Sequence, residues 1–447
     1  MPDFIINKYY NHQLLCACYF IIRLDNITIG TLSPSADPVF SFLHAQRALL
    51  TCLVIVGMGF SVLFPLLAPI GREMALSEFQ ITSIIGCSAL TVFLASPFWG
   101  RVSDRWGRKR VLLIGLFGFS AGTFVFNWVL SLGLNGLLTG SSLYIALLVT
   151  RILHAAVMSA TMPAATAYMA DITTTATRIK GMGATGAANN LGAILGPAIS
   201  GLAVFSLLMP LWLMAIIAFF NGLFVWRYLP ESPNPIKPKS ELPTPIRYSD
   251  PRILPFIVVG VFMFMGFALV QQTMGFRFQD ALGLSANETA KTLGIAMMFS
   301  AAASLFAQGF IVQRLNVQPF FLLKLAIPLL VIAFLLMAIF ETRAWLTIAM
   351  IIQGFAMGLA GPGFMAGASL AVKNTEQGSV AGVAASCGPL GFTFGPLLGG
   401  VLYQINPILP YSCAATIYIF LFASMQWLGA KVDKNETKPT DTAPGRG

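Results

Sequence analysis

Apolar residues gather into twelve long runs, near 48–70, 81–99, 111–133, 142–169, 181–205, 209–229, 253–275, 291–313, 320–340, 344–372, 378–402 and 411–429. Each is long enough to cross a hydrocarbon layer as a helix, which takes about 20 residues. None alternates apolar and polar positions as a barrel strand must, so helices are the form that satisfies every backbone amide inside lipid. One polar gap is wider than the rest: residues 231–252, rich in proline, lysine and serine, predict an extended, semi-rigid linker that divides the runs six and six. The pattern predicts an all-α membrane protein, with a six-helix bundle at 48–230 and a second at 253–430. The extension 1–47 contains one apolar stretch, Leu14 to Ile22, too short to span, and its role is open. The polar tail 431–447 is expected to be disordered.

The two halves are copies. Gly192-Ala-Ile-Leu-Gly196-Pro197 in run 5 recurs as Gly391-Phe-Thr-Phe-Gly395-Pro396 in run 11, and in the same register Pro163 aligns with Pro362 and Gly183 with Gly382. Two pseudo-symmetric parallel halves are an architecture of transporters, whose site lies between them near the midplane. Glycines four apart leave a flat groove for close helix approach. Proline removes one backbone hydrogen bond and permits a bend. Spans 5 and 11 are therefore expected to pack on spans 8 and 2 across the interface of the halves, with the glycine–proline segments as hinges.

Hydrophobic residues make up 56% of the chain and charged residues 10%, with mean hydropathy +0.77. Soluble domains carry about 25% charged residues, so the solvent of this chain is the lipid bilayer. The net charge of +10 is topological. Most of the 27 basic residues fall in the alternate loops that would share one side with both termini, and few, such as Arg72, Arg277, Lys291 and Arg343, fall opposite. The positive-inside rule predicts both termini in the cytoplasm, and the distribution excludes a nucleic-acid role. The six cysteines, Cys16, Cys18, Cys52, Cys87, Cys387 and Cys413, read as small apolar residues. His12, His44 and His154 lack metal-ligand spacing. There is no phosphate-binding loop and no nucleophile–base set, so neither ATP, a metal, a cofactor nor an enzymatic reaction is expected.

The strongest local motif is Gly100-Arg-Val-Ser-Asp104-Arg105-Trp-Gly107-Arg108-Lys109-Arg110, between spans 2 and 3. Gly107 permits a turn, the bases hold the loop on the cytoplasmic face, and Asp104 can accept from a helix N-terminus or pair with an arginine. This loop resembles the signature of the major facilitator superfamily. Arg151 with the small residues after it resembles the family's span-4 motif, and Gly192, Gly196 and Pro197 resemble the span-5 motif of its twelve-span drug–proton antiporters. Phe64-Pro65 through Pro69 and Leu229-Pro230-Glu231-Ser232 also fit. The resemblance covers about 47–430 and is silent on substrate. It implies that Asp104 caps span 11 in the outward-facing state, and that Arg108 pairs with Asp171 at the end of span 4. With Gly100, Arg105, Gly107 and Lys109, these residues would form a switch between the halves.

Arg151 is the one base deep within a span, and an intramembrane arginine is functional by default. The competing reading is a structural arginine held by backbone carbonyls. The resemblance links this position to proton handling, although the family's Gln-Gly is here His154-Ala155. His154 lies one turn on, on the same helical face, either as a proton carrier or as a neutral polar residue of the cavity. None of the 17 acidic residues lies in mid-span, which argues mildly for neutral, zwitterionic or anionic substrates. Asn189, Asn190, Gln271, Gln272 and Gln353 are polar in apolar spans and are candidates for the cavity. The expectation is a monomeric, alternating-access secondary transporter of a bacterial inner membrane, exporting small organic molecules against protons. The alternatives are a metabolite importer or facilitator, a siderophore-type exporter, and a transport-dead sensor or scaffold.

Overall fold

A computed structural model of the chain describes residues 38–173, 178–232, 250–312, 314, 319–372 and 376–436. The extension before residue 38, the centre of the linker and the tail after residue 436 lie outside the described residues. The helices are span 1 (Pro38–Ser61, then Phe64–Glu73), span 2 (Glu78–Trp106), span 3 (Arg108–Leu134) and span 4 (Gly140–Met158, then Thr161–Ile172). Span 5 (Arg178–Ile199, then a 3-10 turn Ser200–Val204) and span 6 (Met209–Tyr228) complete the first half. The second half has span 7 (Leu254–Leu282), span 8 (Ala286–Phe306, then a π turn Ala307–Val312), span 9 (Pro319–Ile339), span 10 (Arg343–Leu370), span 11 (Gln377–Ile405) and span 12 (Leu409–Glu436). Eleven of these are long and apolar enough to cross a membrane among the described residues. The exception is span 5, whose glycine, asparagine and threonine content lowers its hydropathy.

Proline acts unequally on the two copies. Span 1 breaks at Val62–Leu63, just before Pro65, and span 4 breaks at Ser159–Ala160, just before Pro163. In both, the ring meets the turn whose carbonyl it leaves free. Span 5 turns 3-10 three residues after Pro197. Span 10 runs unbroken through Pro362, and span 11 through Pro389 and Pro396. The sequence repeat is thus not a repeat of helix breaks.

The glycine grooves do not face the partners expected of them. A Cβ on Gly192 would strike the Val54 carbonyl of span 1, and one on Gly196 the Ser61 hydroxyl and the Met58 carbonyl. Likewise Gly391 and Gly395 lie against the backbone of Phe264 and Met265 in span 7. The grooves therefore bind spans 5 and 11 to spans 1 and 7 of their own bundles, where backbone approach replaces the side-chain packing that lipid leaves without a hydrophobic driving force. Spans 5 and 8, and 11 and 2, do meet, but on other faces. Gly294 of span 8 rests on Ser200 and Pro197, and Gly86 of span 2 rests on Thr393 and Leu397 of span 11.

Candidate functional site

The two ends of the molecule differ. We call the end bearing Arg101, Arg105, Arg108 and Arg252 the basic face, and the other the far face. Contacts between bundles gather on the far-face half. Gly275 of span 7 meets Ala68 of span 1, Gly400 of span 11 meets Thr82 and Phe79 of span 2, and Gly294 meets Ser200. Arg72 crosses between the bundles to Asp280 at 2.5 and 3.0 Å, and also donates to Glu78 of its own bundle at 2.8 Å. Tyr403 donates to Asp280 at 2.8 Å, and the Arg72 guanidinium lies over the Phe276 ring at 4.9 Å. On the basic half the same four interfacial helices stand open. Among the described residues, a Cβ at Gly186 of span 5, Gly309 of span 8, or Gly382 and Gly388 of span 11 would meet nothing within 4 Å. Leu94 and Phe98 of span 2 are exposed there.

Between these ends lies a cavity of about 250 Å³ bounded by spans 1, 2, 4 and 11. Its walls are aromatic and aliphatic. Phe60, Phe64 and Phe392 supply rings, Phe64 stacking on Phe392 across the bundles at 6.3 Å, and Ile85, Val92 and Met158 fill between them. The polar lining is Ser88, whose hydroxyl is already donated to the Ile84 carbonyl at 2.6 Å, and Arg151.

Arg151 is buried, with 7% of its surface exposed. Its Nη1 donates to His154 Nδ1 at 2.9 Å, and its guanidinium stands 5.5 Å from the centre of the Phe126 ring. Because arginine only donates, the imidazole nitrogen must accept, which places the ring N–H on Nε2. Nε of Arg151 and Nε2 of His154 have no hydrogen-bond partner among the described residues. Among the described residues no backbone carbonyl bonds this arginine, unlike the structural reading of it. The contrast is Arg277, equally buried, which donates to the carbonyls of Met337, Ala338 and Phe340 at the end of span 9 and pairs with Glu341 at 3.1 Å. His154 does not line the cavity. Its ring is wedged against Phe119 and the bare face of Gly122 in span 3.

The loop motif forms a compact network on the basic face. Gly107 has φ +99°, a region where a side chain is strained, and is the single residue joining spans 2 and 3. Arg108, held 8% exposed, pairs with Asp171 at 3.0 Å and with Asp104 at 2.5 Å, and donates to Ser103 at 2.8 Å. Asp104 is 59% exposed and turned to Arg108. Among the described residues it makes no bond to the start of span 11, the cap expected of it. Arg105 is exposed at the same helix end, and Gly100 is half-buried with Pro163 of span 4 its one near neighbour among the described residues.

Glu231 and Ser232 complete this network. Glu231 accepts from the Lys109 backbone N–H at 2.9 Å, at the first turn of span 3, where a carboxylate is favoured by the helix dipole. Ser232 donates to Asp171 at 2.9 Å, and Tyr168 donates to the Pro230 carbonyl at 3.0 Å. The segment after span 6 thus ties spans 3, 4 and 6 together.

None of Asn189, Gln271, Gln272 and Gln353 lines the cavity. The Asn189 carbonyl packs on Gly57, Gln272 and Gln353 are buried with one amide atom each unpartnered among the described residues, and the side chain of Asn190 lies outside them. The far-face set of Arg72, Glu78, Asp280 and Tyr403 escaped sequence reading. Its signal was a charge of opposite sign at the ends of spans 1 and 7.

Two six-helix bundles with a midplane cavity, sealed at one end and open at the other, define a membrane transporter fold. The family model of the Major Facilitator Superfamily matches residues 49–396, and the chain belongs to that superfamily. Multidrug resistance protein 2 of Bacillus subtilis is 28% identical over 402 residues, covering 86% of this chain and 95% of that protein. Tetracycline resistance protein, class B, of Escherichia coli is 24% identical over 373 residues, covering 80% and 88%. Among solved structures, a bacterial homologue of the human lysosomal transporter Spinster, inward-facing and occupied, aligns with TM-score 0.67 at 15% identity, over 89% of this chain and 98% of that one. The human organic anion transporter MFSD10 aligns with TM-score 0.63 at 19% identity, over 86% and 99%. These two likenesses bear on fold.

Proposed function

We propose that this chain is a monomeric secondary exporter of small organic molecules, working by alternating access and driven by protons in a bacterial inner membrane. The observation that carries this reading is the one-sided closure around the Arg151 cavity. The bundles touch through Arg72 and Asp280 at the far face and part at the basic face. With the basic face and both termini on the inside, as the positive charge distribution favours, this closure supports the reading of an inward-open state that would load substrate from the cytoplasm. The resistance proteins of Bacillus subtilis and Escherichia coli support export as the direction. Asp104, Arg108 and Asp171 form the proposed switch at the inner end, closing as Arg72 and Asp280 part. His154, bonded to Arg151, is the proposed proton-coupling residue.

The test is accumulation of a panel of lipophilic dyes and antibiotics by inverted membrane vesicles containing the chain, with and without an imposed proton gradient. Accumulation that collapses when the gradient is dissipated is expected. Accumulation indifferent to the gradient overturns the coupling, and none for any compound overturns the exporter reading.

A further inference from the structure

We infer that the cavity takes apolar organic monoanions, a carboxylate on an aromatic or alkyl body, with Arg151 as the counter-charge. The inference rests on reading the cavity as the substrate site. The first ground is the state of Arg151 itself. A guanidinium stays charged in a protein, and a buried charge is costly unless it is paired and hydrogen-bonded. Arg277 meets that condition with carbonyls and Glu341, while Arg151 has one imidazole nitrogen, one ring face and an Nε without a partner. Among the described residues no carboxylate pairs with it.

The second ground is the make-up of the lining, in which Arg151 is the one charged residue. Arg151 shares the cavity with Phe60, Phe64 and Phe392, and Ser88 spends its proton on its own helix. A single fixed cation in an apolar chamber favours a ligand with one negative charge and an apolar remainder. A cationic ligand would find no acid there and would face a like charge of low screening. A guanidinium also offers the fork of donors that suits a carboxylate, and His154 holds Nη1 from behind.

The third ground is size. A cavity of about 150 Å³ accepts benzene, so 250 Å³ suits a fused two-ring body or a short alkyl chain.

The test compares three probes of one shape on the purified full chain by calorimetry: 2-naphthoate, its neutral amide and the corresponding primary amine. The carboxylate is expected to bind at least tenfold more tightly than either. In Arg151→Met the gap should fall within threefold, and in Arg151→Lys it should be intermediate. Phe64→Ala should weaken all three together, and it serves if Arg151→Met does not fold. Equal or tighter binding of the amide or amine, no saturable binding of the carboxylate, or a gap that survives Arg151→Met overturns the inference. Gradient-driven dye efflux without anion preference leaves the exporter reading standing and sinks this one. Anion binding without transport of any compound does the reverse.

Discussion

Arg72 at the end of span 1 and Asp280 at the end of span 7 join the two bundles at the far face, and each keeps a second partner inside its own bundle. Glu78 remains with Arg72 at 2.8 Å, and Tyr403 remains with Asp280 at 2.8 Å. Neither charge is stranded when the bundles separate, so opening does not carry the penalty of an unpaired buried ion. With side-chain exposures of 21% and 38%, the pair itself contributes about 1 kcal/mol or less. Asp280→Asn is expected to favour far-face opening by up to about fivefold. A cysteine replacing Ser88, in a background without other cysteines, should then react correspondingly faster with an impermeant thiol reagent applied from the far side. An unchanged rate would mean that the pair does not hold the gate.

The pair of Arg108 and Asp171 differs in kind. Asp171 is 3% exposed and Arg108 10%, so removing either leaves the other charge buried. Asp171→Ala leaves Arg108 its Asp104 partner, whereas Arg108→Met leaves the Asp171 carboxylate buried with the Ser232 hydroxyl. Arg108→Met should therefore destabilise the first bundle by about 3–5 kcal/mol, read as a large fall in Tm in detergent, and Asp171→Ala by less. Asp104→Asn, at a 59% exposed side chain, should leave Tm within a few degrees and the protein level in the membrane intact, yet abolish efflux. Normal efflux by Asp104→Asn would remove it from the switch.

Three glycines give a sharper packing test. Gly192→Ala and Gly391→Ala each push a methyl group into a neighbouring backbone, while Gly186→Ala meets open space. Overpacking typically costs about 1–3 kcal/mol. The first two variants should lose stability by that order and Gly186→Ala should not. However, Gly186→Ala should slow transport if the basic half closes tightly during the cycle. Equal stability of all three would contradict the helix pairing.

At the basic face, Arg252 pairs with Asp250 at 2.8 Å and with Glu376 at 2.9 Å, linking the starts of spans 7 and 11. The hydrogen bonds from the Arg252 side chain and backbone hold the Asp250 carboxyl below its ordinary value of 3.8. A depressed carboxylate contributes stability above its unfolded pKa and loses it as pH falls through the folded value. The Tm difference between the parent and Arg252→Gln should therefore be flat from about pH 5 to 8 and shrink below about pH 4. A difference that grows on acidification would contradict the pairing.

The fold was legible because lipid imposes length and hydropathy on each helix. Even span 5, too polar to pass on composition alone, was marked by Gly192, Gly196 and Pro197. The turn at Gly107 and the Arg108–Asp171 pair were legible from the loop motif and the family it resembles. The neighbours of the glycine grooves were not, since a flat helix face states that something approaches and not which helix. Nor was the Arg72–Asp280 pair, whose partners lie 208 residues apart with no local pattern joining them. The amides Gln272 and Gln353 lie apart from this cavity for a related reason: a polar residue must leave lipid, but the bundle interior satisfies that as well as the cavity does.

Alternating access is tested most directly by two distances measured in one reconstituted sample. Spin labels at Glu73 and Asn287 report the far face, and labels at Arg101 and Arg314 report the basic face. On adding substrate and a proton gradient, the far-face distance should lengthen while the basic-face distance shortens. Both changing together, or neither changing while transport proceeds, would contradict the proposed mechanism.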